Sequence, residues 1–203
     1  MESLEDFYKD SLVILESVEK ELLLRIDLLR HYYVLSGHTD PVEHCKSRIK
    51  TPYSMKEKLK RKGLEQTVEV ALSEVYDAVG IRIVCQFVDD VYQMVELLKK
   101  QDDIKIINEK DYIANPKDNG YRSYHVIVSI PIHLSDFTKE MYAEIQIRTI
   151  AMDSWAALEH ELRYKHTIPN AKMLAKELKR CADEIASTDL TLQTIRNVII
   201  ESE

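Results

Sequence analysis

The stretch MYAEIQIR, from Met141 to Arg148, decides the fold. Side chains alternate across a β-strand, so Ala143, Ile145 and Ile147 point to one side while Glu144, Gln146 and Arg148 point to the other. One face suits a core. The other gathers a carboxylate, an amide and a guanidinium in one row. The solvated side of an ordinary antiparallel sheet looks the same, so the meaning of the row depends on what its neighbours bring to it.

Upstream, Tyr124 to Ile130 reads as another strand, and HLSDFTKE lies between the two. This predicts an antiparallel pair with a longish loop. Ile81 to Phe87 and Ile104 to Asn108 read as further strands, separated by a helix from Asp89 to Lys100. In the strand from Ile81, Arg82 falls opposite Ile83, Cys85 and Phe87, close behind Asp77 and Gly80.

Leu12, Leu15, Val18, Leu22, Ile26 and Leu29 recur at helical spacing with no proline among them. They predict one long amphipathic helix from Leu4 to about Leu35, ending at Ser36-Gly37. Ser54 with Glu57 makes a capping-box pattern and Gly63 a stop, so Met55 to Lys62 reads as a short basic helix. After Thr149 the chain turns helical to its end, with a break at Pro169, and Trp155 is expected as a core anchor. The fold class is therefore α+β, a mixed sheet of about five strands flanked by helices, with long helices at both termini. We expect a single domain over 1–203: an N-terminal helix (1–36), a core (43–165) and a C-terminal helix (170–203).

At 203 residues and 45% hydrophobic content the chain can bury one good core. No run approaches the roughly 18 apolar residues of a membrane span, and the first residues, MESLEDFYKD, are acidic where a secretory signal is basic. Cys45, Cys85 and Cys181 show no CxxC spacing, which argues against a disulfide framework and a cysteine zinc site. Together these predict a cytoplasmic location without membrane attachment. The net charge of -7 conceals a reversal: Lys46 to Lys62 holds eight basic residues against the single acid Glu57. That suits a small polyanion such as a nucleoside triphosphate, although a solvated helix face carries such runs too.

The loop NPKDNGYRSYH crowds Lys117, Asn119, Gly120, Tyr121, Arg122 and His125 between two strands. An ordinary turn needs Asn-Gly but not two cations, a histidine and a stacking ring. HELRYKH, from His160, places its histidines six apart where a zinc-protease helix needs four, so no zinc site is expected. The glycine patterns of P-loop, Rossmann and hydrolase-elbow chemistry are missing as well. Any nucleotide would be held largely by side chains.

Four stretches, SRIKTPYSMKEKLKRKG, YDAVGIRIVCQF, DYIANPKDNGYRSYH and AEIQIRTIAMDSWAALEH, follow one another between Glu43 and Tyr164. In order and spacing they resemble the RelA/SpoT-type alarmone synthetases, specifically the single-domain small alarmone synthetases. The resemblance implies a nucleotidyltransferase-like core that transfers the β,γ-pyrophosphate of ATP to the 3′-hydroxyl of GTP or GDP, giving (p)ppGpp for the stringent response. The family's ATP-side pattern RxKxxxSxxxK falls on Arg48, Lys50, Ser54 and Lys58, with Arg61 close by. By the same resemblance Arg48 and Arg82 sandwich adenine, and Asp77 and Glu144 bind Mg2+. Glu144 is the candidate general base, and Tyr121 stacks on guanine among Lys117, Asn119, His125, Gln146 and Arg148. Tyr124, Ala78-Val79 and Ser154 depart from the usual leucine, isoleucine-alanine and larger aromatic.

Small synthetases of this type form tetramers, so the resemblance implies a homo-oligomer, and it offers an RNA or (p)ppGpp as regulator. The hydrolase's histidine-aspartate dipeptide is missing, so synthesis without hydrolysis is expected. The competing expectation is a catalytically silent nucleotide- or RNA-binding regulator on the same fold.

Overall fold

The structure is a computed structural model that describes residues 2–164 and 171–202. Among these residues the elements follow in the order α1 (Leu4–Tyr8), α2 (Ser11–Leu35), β1 (Val42–Ile49), α3 (Pro52–Lys62), α4 (Val68–Glu74), β2 (Val79–Cys85), α5 (Val88–Lys99), β3 (Lys105–Asp111), β4 (Tyr124–His133), β5 (Thr138–Thr149), α6 (Ile150–Tyr164) and α7 (Ala171–Glu201). The strands form one sheet in the order β1-β2-β5-β4-β3. Only the central β2–β5 pair is parallel; β1–β2, β3–β4 and β4–β5 are antiparallel. The mixed α+β architecture read from the alternating stretches is the one observed.

One face of the sheet is the core. Val79, Ile81 and Ile83 of β2, Ala143, Ile145 and Ile147 of β5, and Val126, Val128 and Ile130 of β4 are all buried. They pack with Leu15, Val18, Leu22 and Ile26 of α2 and with Val91, Met94, Val95 and Leu98 of α5. Truncating a fully buried member such as Ile145 to alanine would cost about 2–5 kcal/mol, transfer and cavity together. The opposite face carries the polar row of β5.

Several boundaries differ from expectation. The N-terminal helix is broken at Lys9, which has a left-handed φ of 48°. Phe7 and Tyr8 are both buried just before the break, and the Lys9 amide donates to the Glu5 carbonyl at 3.0 Å to close the first helix. Ser54 is not the cap of the basic helix. Thr51 is, its hydroxyl accepting from the Ser54 amide at 3.3 Å, with Pro52 in the first turn. Gly63 closes that helix in the left-handed conformation, φ 70°.

The strand β1 and the short helix α4 were not anticipated. The loop between β4 and β5 is only Leu134–Phe137, closed by the Leu134 amide donating to the Phe137 carbonyl at 2.9 Å. Both strands run further than expected, to the His133–Thr138 pair. The expected break at Pro169 and the second histidine of HELRYKH, His166, lie outside the described residues. Among the described residues no helix is long and apolar enough to cross a membrane.

Candidate active site

Two rows across the open face of the sheet build the site. In one, Arg48 of β1 pairs with Gly80 of β2, Gly80 with Glu144 of β5, and Glu144 with Ile127 of β4. In the next, Lys46, Arg82, Gln146 and His125 stand in register. Gly80 has no side chain between Arg48 and Glu144, so the floor stays open. The result is a cleft of about 240 Å³ lined by Lys46, Ser47, Arg48, Lys50, Asp77, Gly80, Ile81, Arg82, Glu144 and Gln146. Four cations against two carboxylates give it a positive field suited to polyphosphate.

At one end, Asp77 Oδ2 meets Lys58 Nζ at 2.7 Å and Lys50 Nζ at 3.1 Å. Its Oδ1 is buried and has no hydrogen-bond partner. A buried anionic oxygen without a partner is costly, and it is a donor atom ready for a cation. Lys58 enters from α3, whereas Ser54 and Arg61 on the same helix are exposed; neither lines the cleft.

Glu144 belongs to a closed ring of five side chains. Its Oε1 meets His125 Nδ1 at 3.2 Å, and His125 Nε2 meets the Tyr121 hydroxyl at 2.8 Å. Arg148 donates to the Tyr121 oxygen at 2.9 Å and to Gln146 Oε1 at 2.6 Å, and Gln146 Nε2 donates to Glu144 Oε2 at 2.7 Å. The proton assignment that makes all five contacts donor-to-acceptor puts hydrogen on His125 Nδ1 and leaves Nε2 to accept from Tyr121.

Burial pushes the Glu144 pKa up, but the hydrogen bonds from His125 and Gln146 and the surrounding positive charge, Lys58 included, outweigh it and hold the carboxyl at about 2. Arg148 is 2% exposed. Burial lowers its pKa, and the charge of Arg82 lowers it further. Burial raises that of Tyr121.

The Lys117 ammonium lies 4.8 Å from the Tyr121 ring centroid and 4.6 Å from that of Tyr112. Asn119 accepts from the Tyr121 amide at 3.2 Å and donates to Glu159 at 3.2 Å. Arg122, by contrast, turns to α7, donating to the Ala182 carbonyl and pairing with Asp183 at 3.0 Å. Trp155 is buried, and its Nε1 donates to the Leu178 carbonyl at 3.0 Å, joining α6 to α7.

Three participants escaped the sequence. Tyr112 packs edge-on against His125, with centroids 5.2 Å apart. Tyr8 donates to the Lys50 carbonyl, and Asp153 pairs with both Arg82 and Arg148. The adjacent DY of DYIANPKDNGYRSYH was a usable hint for Tyr112; nothing local marked the other two.

A positive cleft with two carboxylates, beside a ring-bearing polar network on an open sheet face, defines a nucleotide-polyphosphate site. The chain belongs to the RelA/SpoT family: residues 47–169 match the model of the region found in RelA / SpoT proteins. It is 46% identical over 154 residues to the GTP pyrophosphokinase YwaC of Bacillus subtilis, covering 76% of this chain and 73% of that one. The structure of small alarmone synthetase 1 from Bacillus subtilis bound to its product pppGpp superposes with a TM-score of 0.83 at 34% identity, over 93% of this chain and 95% of that one. The form of that enzyme bound to AMPCPP gives 0.78 at 30% identity, over 94% and 96%.

Proposed function

We propose that this chain is a GTP pyrophosphokinase that moves the β,γ-pyrophosphate of ATP onto the 3′-oxygen of GTP or GDP, making (p)ppGpp. The observation that carries the proposal is the cleft itself, which puts the Asp77–lysine cluster and the Glu144 ring along one channel. ATP occupies the side of β1, α3 and β2: Lys50 and Lys58 reach the phosphates, and Arg48 and Arg82 flank adenine. Ser54 and Arg61 join only at the rim. The acceptor occupies the other side, guanine stacking on Tyr121 after displacing the flexible Lys117 chain, with Asn119, His125, Gln146 and Arg148 around it. Relatives bound to AMPCPP and to pppGpp support nucleotides as the ligands.

Enzymes of this kind use a divalent metal, and the donors here fit Mg2+: a partnerless carboxylate oxygen on Asp77 and the ionised Glu144. Among the described residues no cluster of three or more His, Cys, Asp or Glu is arranged for a metal. Two carboxylates plus substrate phosphates are what Mg2+ ordinarily takes. When bound, it would neutralise charge on the phosphates undergoing transfer. The acceptor 3′-oxygen bonds to the β-phosphorus as the bond to the α,β-bridging oxygen breaks, releasing AMP. A carboxyl held near 2 stays ionised at neutral pH. Glu144 therefore orients the hydroxyl and takes its proton only as the new bond to phosphorus makes that proton acidic.

Exposed apolar residues on α2 (Leu24, Leu28, Tyr32, Leu35) and α7 (Leu192, Ile195, Ile199) support a homo-oligomer, measurable by light scattering. The substrates suit a cytoplasmic enzyme. The deciding experiment mixes protein, ATP, GTP and Mg2+ and resolves the nucleotides by anion exchange, with Glu144→Val alongside. pppGpp and AMP from the wild type alone are expected; intact ATP and GTP would overturn the proposal in favour of a silent regulator.

A further inference from the structure

Asp153 lies in the first turn of α6, where the helix dipole favours a carboxylate. A single oxygen of it, Oδ1, meets Arg82 Nη1 at 3.1 Å and Arg148 Nη1 at 3.3 Å. The two guanidiniums come from neighbouring strands, β2 and β5, and belong to opposite ends of the transfer. Arg82 lines the cleft, while Arg148 closes the ring that contains Tyr121 and Gln146.

The arrangement has a physical cost without Asp153. Arg148 is buried, its Nε finds no hydrogen-bond partner, and its other contacts in the ring are neutral groups, Gln146 and the Tyr121 hydroxyl. Like charges at close range with little water repel strongly. Among the described residues Asp153 is the only carboxylate ion-paired to Arg148, and Arg82 is paired to it as well. Thr149 ties the same helix start to the sheet: its hydroxyl accepts from the Met152 amide at 3.1 Å. The carboxylate therefore stands at a fixed place relative to both strands.

We propose that Asp153 is a positioning residue that locks the adenine-side Arg82 and the acceptor-side Arg148 into one rigid unit, so that each nucleotide site is shaped by the same carboxylate. It touches neither nucleotide and acts through the two arginines. This presupposes the pyrophosphokinase assignment of the two sides, but its effect on binding is measurable whether or not transfer occurs.

The test is calorimetric titration of AMPCPP and, separately, of GDP into wild type, Asp153→Asn and Asp153→Glu, with thermal melts of each. Loss of a charge-assisted contact on each side should raise both Kd values about ten-fold in Asp153→Asn. Asp153→Glu should recover part of the loss on at least one side. If Asp153→Asn proves unfolded, Asp153→Asn/Arg148→Gln removes the unpaired buried charge, and its Kd for AMPCPP should exceed that of Arg148→Gln alone. Unchanged Kd values for both nucleotides in Asp153→Asn would overturn the proposal, as would equality of the double variant with Arg148→Gln. Wild type that binds both nucleotides but yields no pppGpp would overturn the enzymatic assignment and leave the role of Asp153 to be decided by the Kd values. Wild type that binds neither would overturn both.

Discussion

The Tyr8 hydroxyl donates to the backbone carbonyl of Lys50 at 2.8 Å, so a helix outside the family-matched region holds the chain where Lys50 leaves β1. Tyr8 is fully buried, and burial together with the Asp77 charge pushes its pKa up, which keeps it a donor. Tyr8→Phe strands that carbonyl. It should lower stability by about 1–3 kcal/mol, read by denaturant unfolding, and raise the KM for ATP more than the KM for GTP.

Replacing Glu144 by glutamine keeps the volume of the side chain and removes its charge. Product formation should fall by about 10²-fold or more, measured by chromatography of the nucleotides, with the fold retained.

The same variant has a pH signature. The folded carboxyl titrates at about 2 instead of 4.5. Its stabilising contribution is therefore complete above about pH 5 and is lost as pH falls towards 2. The shift corresponds to a maximum on the order of 3 kcal/mol. The unfolding free energy of wild type should accordingly fall more steeply than that of Glu144→Gln between pH 5 and 2; parallel curves would refute the pairing of Glu144 with His125.

Asp77 anchors two lysines through one oxygen and leaves the other free. Asp77→Asn should abolish turnover. It should also reduce the rise in melting temperature that Mg2+ with AMPCPP gives the wild type, since the metal-phosphate complex loses one of its two protein carboxylates. Chelation of the metal from wild-type reactions should stop product formation reversibly.

Gly120 has φ 89°, and a Cβ there would meet the Ala182 Cβ of α7 at 2.5 Å. Gly120→Ala should cost about 1–3 kcal/mol. Adding Ala182→Gly should relieve the clash but not the backbone strain, so recovery should be partial in thermal melts.

The legible parts of the molecule were those in which pattern and packing agree. In MYAEIQIR the alternation is strict, and Glu144, Gln146 and Arg148 do share a face and hydrogen-bond to one another. β1, VEHCKSRI, hid because its core side is Cys45, Ser47 and Ile49, too weakly apolar to stand out beside Lys46 and Arg48. The charge run was visible while its pleat was not. Asp153 and Tyr8 were illegible for another reason: a first-turn acid and a helical tyrosine are locally ordinary, Lys50 lies 42 residues from Tyr8, and although Arg148 is five residues from Asp153, the Arg82 it also holds is on a different strand far back in the chain.

The parallel pairing of β2 with β5 joins an antiparallel pair that carries Arg48, Gly80 and Arg82 to a hairpin that carries His125, Glu144 and Gln146. The β4–β5 hairpin closes over four residues, whereas β1–β2 pairing has to bridge α3 and α4, and β2–β5 pairing has to bridge α5, β3 and β4, so the two pairings that assemble the cleft carry the larger loop-closure cost. During synthesis the ATP-side basic residues are therefore made well before the carboxylate that completes the cleft. A partly emerged chain has cations for a nucleotide but no assembled centre, and the centre is complete only once β5 has paired with β2.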